Sequence, residues 1–334
     1  MSTYILKRIL YMIPTLFGIT IVAFLIIHLA PGDPAAMKAR AAEGLTDQGI
    51  SEEAIQKTRE LYGLDKPLHV QYALWIKRIA TLDFGQSIKF NRPVWDVLKE
   101  RVPISIKLAL TSILLAYVIS IPLGIYSASH QYSRLDRTVT LLLFILYSLP
   151  SFWVATMLIV FVGGGDFLDI FPVFGLSSVG AAGWTFWQRF WDAAWHLVLP
   201  VFCMTYGSLA VLSRYMRSAM LEVIRQDYIT TARAKGLSER KVIYKHALRN
   251  SLIPIVTLLS GLLPALLGGS IIIESIFTIP GMGKLAWEAI LARDYPVIMA
   301  ELTIVSFLTL FGILLSDILY SVVDPRIAFE RKGN

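Results

Sequence analysis

Six apolar stretches, each close to the length needed to cross a bilayer, constrain this chain more than any other feature. They cover residues 9–30, 108–128, 138–162, 197–213, 251–273 and 297–323. A helix rises about 1.5 Å per residue, so the first is about 33 Å long and crosses a hydrocarbon core of about 30 Å. The second and third carry no charge, the fourth is short, and the sixth holds Glu301 and Asp317 near its two ends. Apolar residues make up 55% of the chain and charged residues only 16%, with a mean hydropathy of +0.61. These features predict an all-α polytopic membrane protein with six transmembrane helices. The first stretch exceeds the roughly 7–15 apolar residues of a cleaved signal peptide and reads as a retained helix. The single cysteine, Cys203, excludes an intrachain disulfide.

The distribution of charge sets the orientation. The net charge is +7, but basic residues gather in the cytoplasmic loops of membrane proteins, so it does not imply nucleic acid. Residues 214–250 hold nine Lys/Arg against Glu222, Asp227 and Glu239. Arg134 and Arg137 lie in another short loop, and Arg326, Arg331 and Lys332 at the C-terminus. The facing loops have only Arg189 in 163–196, and Lys284 with Arg293 in 276–296. Both termini are therefore expected in the cytoplasm.

Residues 31–102 are the exception, with eleven Lys/Arg and ten Asp/Glu. A long, charge-balanced loop translocates largely regardless of its charge, so it reads as an extracytoplasmic helical excursion. Ser51 can cap a helix beginning at Glu52-Glu53, and Gly63 can end it. Leu68, Tyr72, Trp75 and Ile79 recur at helical spacing. Pro93 opens a further short helix with Val94, Val97 and Leu98 on one face. The expected role of these faces is packing on the outer ends of the membrane helices, ahead of direct substrate contact. The chain thus divides into an N-terminal transmembrane helix (1–30), the loop (31–102), a core (103–325) with a cytoplasmic loop at 214–250, and a tail (326–334).

Inside that cytoplasmic loop, residues 222–249 read as two helices. The first runs from Glu222 to about Lys235 and ends at Gly236, which tolerates a left-handed cap. Ser238 can cap the second, and Glu239 suits its N-terminal dipole. Ala232, Ala234 and Gly236 form a small-residue patch that another backbone could approach. A basic helix pair lying on anionic lipid headgroups is the plainer alternative.

Residues 227–250 resemble the cytoplasmic coupling loop of ABC importer permeases, the inner-membrane components of binding-protein-dependent transport. That family's pattern is Glu-Ala-Ala, three residues, then Gly. Here Thr230-Thr231-Ala232, Arg233-Ala234-Lys235 and Gly236 occupy those positions, and the later Leu-Pro appears as Leu248-Arg249. Thr231-Ala-Arg-Ala-Lys-Gly-Leu237 is similar to the variant of the peptide/nickel branch. Leu29-Ala-Pro-Gly-Asp-Pro34, Tyr62-Gly-Leu-Asp-Lys-Pro67 and Phe84-Gly-Gln-Ser87 extend the likeness through the first loop. Ile279-Pro-Gly-Met-Gly283, Arg293-Asp-Tyr-Pro296 and Asp324-Pro-Arg326 extend it to the end. Together they resemble the B-type subunit of dipeptide and oligopeptide permeases.

The resemblance implies a type I ABC importer permease fold in the cytoplasmic (inner) membrane of a prokaryote. It implies a related C-type permease partner, two ABC ATPase subunits beneath, an extracytoplasmic substrate-binding protein and a surrounding lipid bilayer. Alternating access would then move di- or oligopeptides, with nickel or another small solute as the alternative cargo. Asp227, Tyr228, Thr231, Ala232, Arg233, Ala234, Lys235, Gly236 and Leu237 would be the ATPase-coupling residues. The chain would bind no cofactor itself, and its partners would use ATP and Mg.

Other classes fit less well. There is no G-x-x-x-x-G-K-[ST], no H-E-x-x-H and no G-x-S-x-G, and the five histidines lack metal-ligand spacing. A channel or self-sufficient secondary transporter tends to place paired ionisable groups at the bilayer midplane. Glu274 and Asp317 sit near segment ends, where interfacial solvation is expected. Pro150, Pro200 and Pro264 are expected to kink their segments, and Gly261, Gly268 and Gly269 to permit close helix packing.

Overall fold

The computed structural model describes residues 2–29, 52–62, 65–164, 167–258 and 261–323. Residues 30–51, Gly63 and the 324–334 tail, where some of the expectations above fall, lie outside the described residues. Helix α1 (Ser2–Leu29) is followed by the short α2 (Glu52–Tyr62) and α3 (Leu68–Ala80). Then come α4 (Val94–Ser129), α5 (Arg134–Ser148), α6 (Ser151–Val162) and the 39-residue α7 (Phe186–Ile224). The chain continues through α8 (Asp227–Ala234), α9 (Glu239–Lys241) and a π-helical turn, Val242–Ala247. Four short pieces follow, α10 (Leu248–Ser251), α11 (Ile253–Leu258), α12 (Leu262–Gly268) and α13 (Ile271–Ile276). Helices α14 (Met282–Leu291) and α15 (Tyr295–Val323) close the described chain.

Among the described residues four helices, α1, α4, α7 and α15, are long and apolar enough to cross a membrane, or five if α5 and α6 form one bent span. Two of the six apolar runs are broken among the described residues. The run 138–162 turns through 97° between α5 and α6. Pro150 has no N–H to continue α5, and it disfavours helical geometry at Leu149, which is extended at φ −87° and ψ 127°. The run 251–273 is divided among short helices. Gly269, at φ +62°, ends α12, while Pro254 and Pro264 sit in the first turns of α11 and α12, where a missing N–H costs little. By contrast Pro200 lies inside α7, which continues through it as one helix. The helix expected to be short after Pro93 is also different: it is α4, which runs 36 residues on into the second apolar stretch.

Packing starts from α4 against α7. At their crossing a Cβ on Gly124 would lie 2.5 Å from Met216 Cβ, so only a glycine lets the two backbones approach this far. A central cluster joins Leu108, Ala155, Leu199, Cys203, Tyr206, Ile273 and Phe277 from α4, α6, α7, α13 and the residue after it. At the end of the bundle away from the 225–250 loop, Phe84, Val94, Val97 and Leu98 pack on Met282, Leu285, Ala289 and Val297. Helix α3 lays Tyr72 and Trp75 against Phe24 of α1, with ring centroids 5.4 and 6.0 Å from that ring. The packing role expected for this face is thus what Tyr72, Trp75 and Ile79 perform, while Leu68 remains 48% exposed. Two of the quoted motifs meet here: Ser87 Oγ and Lys89 N both donate to Asp294 Oδ2, the second at 3.0 Å.

The two acidic groups expected to be solvated at segment ends are placed otherwise. Asp317 on α15 pairs with Arg8 on α1 at 3.1 Å. Glu274 is fully buried. Its Oε1 accepts from Ser105 Oγ at 2.9 Å and from Ser270 N at 3.2 Å, and its Oε2 from Lys284 N at 2.8 Å. Ser105 Oγ in turn accepts from Met282 N at 2.7 Å. The break before α13 frees backbone donors, and the carboxylate takes them up where no water is at hand. A Cβ on Gly281 would lie 2.6 Å from both the Glu274 carboxylate and Ser105 Oγ. Gly281→Ala is expected to destabilise the folded chain by about 1–3 kcal/mol through overpacking. Gly207→Ala, where a Cβ meets nothing within 4 Å, should leave the melting temperature in detergent unchanged or higher.

Candidate partner-docking loop

The loop after α7 is built by a local break, a buried anchor and a left-handed cap. Helix α7 ends at Ile224, and Gln226 turns extended (φ −73°, ψ 148°) before α8 begins at Asp227. The single helix expected from Glu222 to about Lys235 is therefore two helices, with the turn between them. Ile229 is completely buried and Ala232 nearly so. Their spacing of three residues puts both on one face of α8. That face shares a cluster with Ile125 of α4, Met216 and Met220 of α7, and Val242, Ile243 and Ala247 of the π-helical turn.

The C-terminus of α8 closes as a Schellman motif. Gly236 lies at φ +77°. Gly236 N donates to Arg233 O at 2.9 Å, and Leu237 N donates to Ala232 O at 3.4 Å. Leu237 then folds back onto the buried cluster. The expected left-handed role of Gly236 is thus observed, whereas Ser238 precedes α9 without a side-chain capping bond. Arg233 bridges to Glu239 across the cap, with Nη2 2.8 Å from Oε1. The hydrogen bond from Arg233 outweighs desolvation and holds the Glu239 carboxyl below its usual range. The contribution of that pair is present above the ordinary carboxylate pKa and is lost as pH falls through the lowered value. Both side chains are more than a third exposed, so after solvent screening it is worth about 1 kcal/mol at most. Asn250 Nδ2 donates to Tyr228 Oη at 2.7 Å, fastening α8 to α10.

The nine residues expected to face a partner divide into two groups. Asp227, Tyr228, Thr231, Arg233, Ala234, Lys235 and Gly236 are exposed. Ala232 is buried against its own chain and Leu237 is half-buried, so these two hold the loop and leave the small-residue patch to Ala234 and Gly236. Asp227, Thr230, Thr231 and Ala234, at i, i+3, i+4 and i+7, share the face opposite Ile229. That face is mostly small and uncharged, with Arg233 and Lys235 at its flanks. The anchor Ile229 escaped the sequence reading, although its spacing to Ala232 marks an inward face in retrospect. Met216 and Met220 escaped it too, because they belong to a different helix. Among the described residues no group of His, Cys, Asp or Glu could hold a metal ion.

This geometry defines a class: a multi-pass helical membrane protein that presents a short, self-capped helix pair, rigidly seated on two of its long helices, at one end of the bundle. The chain belongs to the binding-protein-dependent transport system inner membrane component family, whose model matches residues 120–329. A second family model, for the N-terminal part of such membrane components, matches residues 1–109. It is similar to the oligopeptide transport system permease protein AppB of Bacillus subtilis, at 42% identity over 98% of this chain and 100% of the relative. The dipeptide transport system permease protein DppB of the same organism is 39% identical, with both chains fully covered. The peptidoglycan transport system permease protein YejB of Agrobacterium fabrum is 35% identical over 99% of this chain and 100% of the relative. Among solved structures the chain is similar to one titled as inward-facing conformations of the MetNI methionine ABC transporter. There the TM-score is 0.48 at 19% identity, covering 68% of this chain and 96% of that one.

A Cβ added at Gly236 would meet nothing within 4 Å, so any penalty there comes from the backbone alone. Gly236→Val should cost about 1–3 kcal/mol of local stability. Gly236→Asn, a residue that visits the left-handed region, should cost well under half of that. Amide hydrogen exchange across residues 237–247 measures the difference, with protection lost in the valine variant and kept in the asparagine variant.

Proposed function

We propose that this chain is the B-type permease subunit of an ATP-driven ABC importer that carries di- and oligopeptides across a prokaryotic cytoplasmic membrane. In this reading it forms half of a translocation pathway together with a related C-type permease. Two ABC ATPases hydrolyse ATP with Mg beneath it, and an extracytoplasmic binding protein delivers cargo from the other side. Both termini and the 225–250 loop lie in the cytoplasm, on the side favoured by the surplus of basic residues. The bent α5–α6 pair and the broken α11–α13 region complete six crossings. The peptide assignment is supported by the names of relatives that match at 42% and 39% identity along their whole length.

The observation that carries the mechanism is the seat of α8. Ile229 is sealed into one cluster with Met216 and Met220 of α7 and Ile125 of α4. An ATPase gripping the exposed face of α8 therefore moves two long membrane helices with it, because a close-packed contact transmits displacement rather than absorbing it. Closure of the ATPase pair becomes rotation of the membrane helices, and access alternates between the two sides.

Two experiments test this. In the complete transporter reconstituted into proteoliposomes, Ala234→Trp should leave the subunit at normal abundance. It should reduce ATPase co-purification and ATP-driven dipeptide uptake by about tenfold or more, the scale of one blocked central contact. Undiminished uptake would remove α8 from the coupling role. For topology, Cys203→Ala provides a background in which a cysteine at Gln56 should react with an impermeant reagent added outside spheroplasts, while one at Gln226 should not. The reverse pattern would invert the orientation and detach the ATPase assignment from this loop.

A further inference from the structure

Helix α5 is tied to α7 at two levels. At its start Asp136 Oδ2 accepts from Arg217 Nη2 at 3.1 Å, and at its end the Leu149 carbonyl accepts from Tyr206 Oη at 2.7 Å. Between the ties the helices do not close. A cavity of about 490 Å³ remains, walled by Thr140, Phe144 and Tyr147 of α5 and by Val211, Arg214 and Tyr215 of α7. That is the size of a small-molecule site. It lies in the stretch of α7 that leads down to the basic loop.

The cavity is positively charged, and the structure does not neutralise it. Arg214 lies over the Phe144 ring, 5.1 Å from its centroid, and among the described residues it forms no ion pair. Arg217 engages Asp136, yet its Nε is buried without a hydrogen-bond partner. Two guanidinium groups thus stand against one carboxylate, which only Arg217 contacts. Arg214 stands at the open side of the cavity, on a helix long and apolar enough to cross a membrane; a guanidinium without a counter-charge there has an anion as its natural complement. Thr140, Tyr147 and Tyr215 line the same space, and Leu143 and Val211 give it an apolar side. A phosphate flanked by hydrocarbon satisfies all of these walls at once, and basic pockets between membrane helices take such headgroups.

We propose that this cavity binds the headgroup phosphate of an anionic phospholipid, with Arg214 as the principal ligand and Arg217 as the second. The lipid would come from the leaflet next to the basic loop. A zwitterionic headgroup fits less well, because the one carboxylate present is already paired with Arg217.

The test uses the full chain, purified in neutral detergent, stripped of lipid and titrated separately with phosphatidylglycerol and phosphatidylcholine. Bound lipid is counted by native mass spectrometry. Phosphatidylglycerol should be retained in preference to phosphatidylcholine. Arg214→Gln should weaken its binding by about tenfold, the scale of one lost charge-assisted contact, and Arg214→Lys by less. Leu143→Trp, which fills the space and leaves the charges, should also abolish retention, and it decides the matter if Arg214→Gln does not fold. Arg225→Gln, exposed and outside the cavity, should change nothing. Equal retention of the two lipids, or unchanged binding in both cavity variants, overturns the proposal. Displacement of phosphatidylglycerol by millimolar inorganic phosphate would assign the site to a free anion. Displacement by an oligopeptide with a free carboxyl terminus would assign it to cargo. Either result overturns the lipid assignment.

Discussion

Every backbone N–H and C=O that enters hydrocarbon must find a partner within the protein, since water is not there to supply one. The long helices α1, α4, α7 and α15 meet this demand internally, one hydrogen bond per residue. The harder problem arises where the chain leaves helical geometry, and there the structure depends on side chains. Between α12 and α14 the backbone turns at Gly269 and Gly281, and Glu274 collects the N–H groups of Ser270 and Lys284 while Ser105 collects that of Met282. Without that carboxylate several buried donors would be orphaned, each at a cost of roughly 1–3 kcal/mol. The glycines are needed because the carboxylate occupies the space a Cβ would fill.

The same logic runs at the other end of the bundle. Gly236 takes the left-handed conformation so that Leu237 N and Gly236 N can satisfy the last carbonyls of α8. Capping also aims Leu237 back at the cluster that holds Ile229. The local hydrogen-bond geometry and the tertiary contact therefore reinforce one another. A loop seated this way is stiffly attached to α7 and α4.

Small residues decide how near the long helices come. Gly124 brings α4 onto α7 at Met216, which in turn floors the cluster under α8. Where larger side chains face one another, as Phe144 and Arg214 do, α5 and α7 part between their two ties and leave a charged cavity. Close contact and open space on the same pair of helices thus follow from residue size and from where polar ties are available.

The sequence by itself determined the class, the long helices and the turn at Gly236, because these rest on local properties: apolar run length and the φ freedom of one residue. It also marked Pro150, whose missing N–H breaks the 138–162 run. It marked Pro264 and Pro200 alike as kinks, and did not show that the first lies in a run divided among short helices while α7 continues through the second. Whether a proline or glycine breaks a helix depends on what else can satisfy the freed backbone, and Glu274, Ser105 and Ser270 come from different elements. The burial of Ile229 and Ala232, the pairing of Arg8 with Asp317, and the unbalanced charge of Arg214 were decided only by tertiary structure. Each is a relation between residues far apart in the chain, and nothing in local spacing encodes which distant surface a side chain will meet.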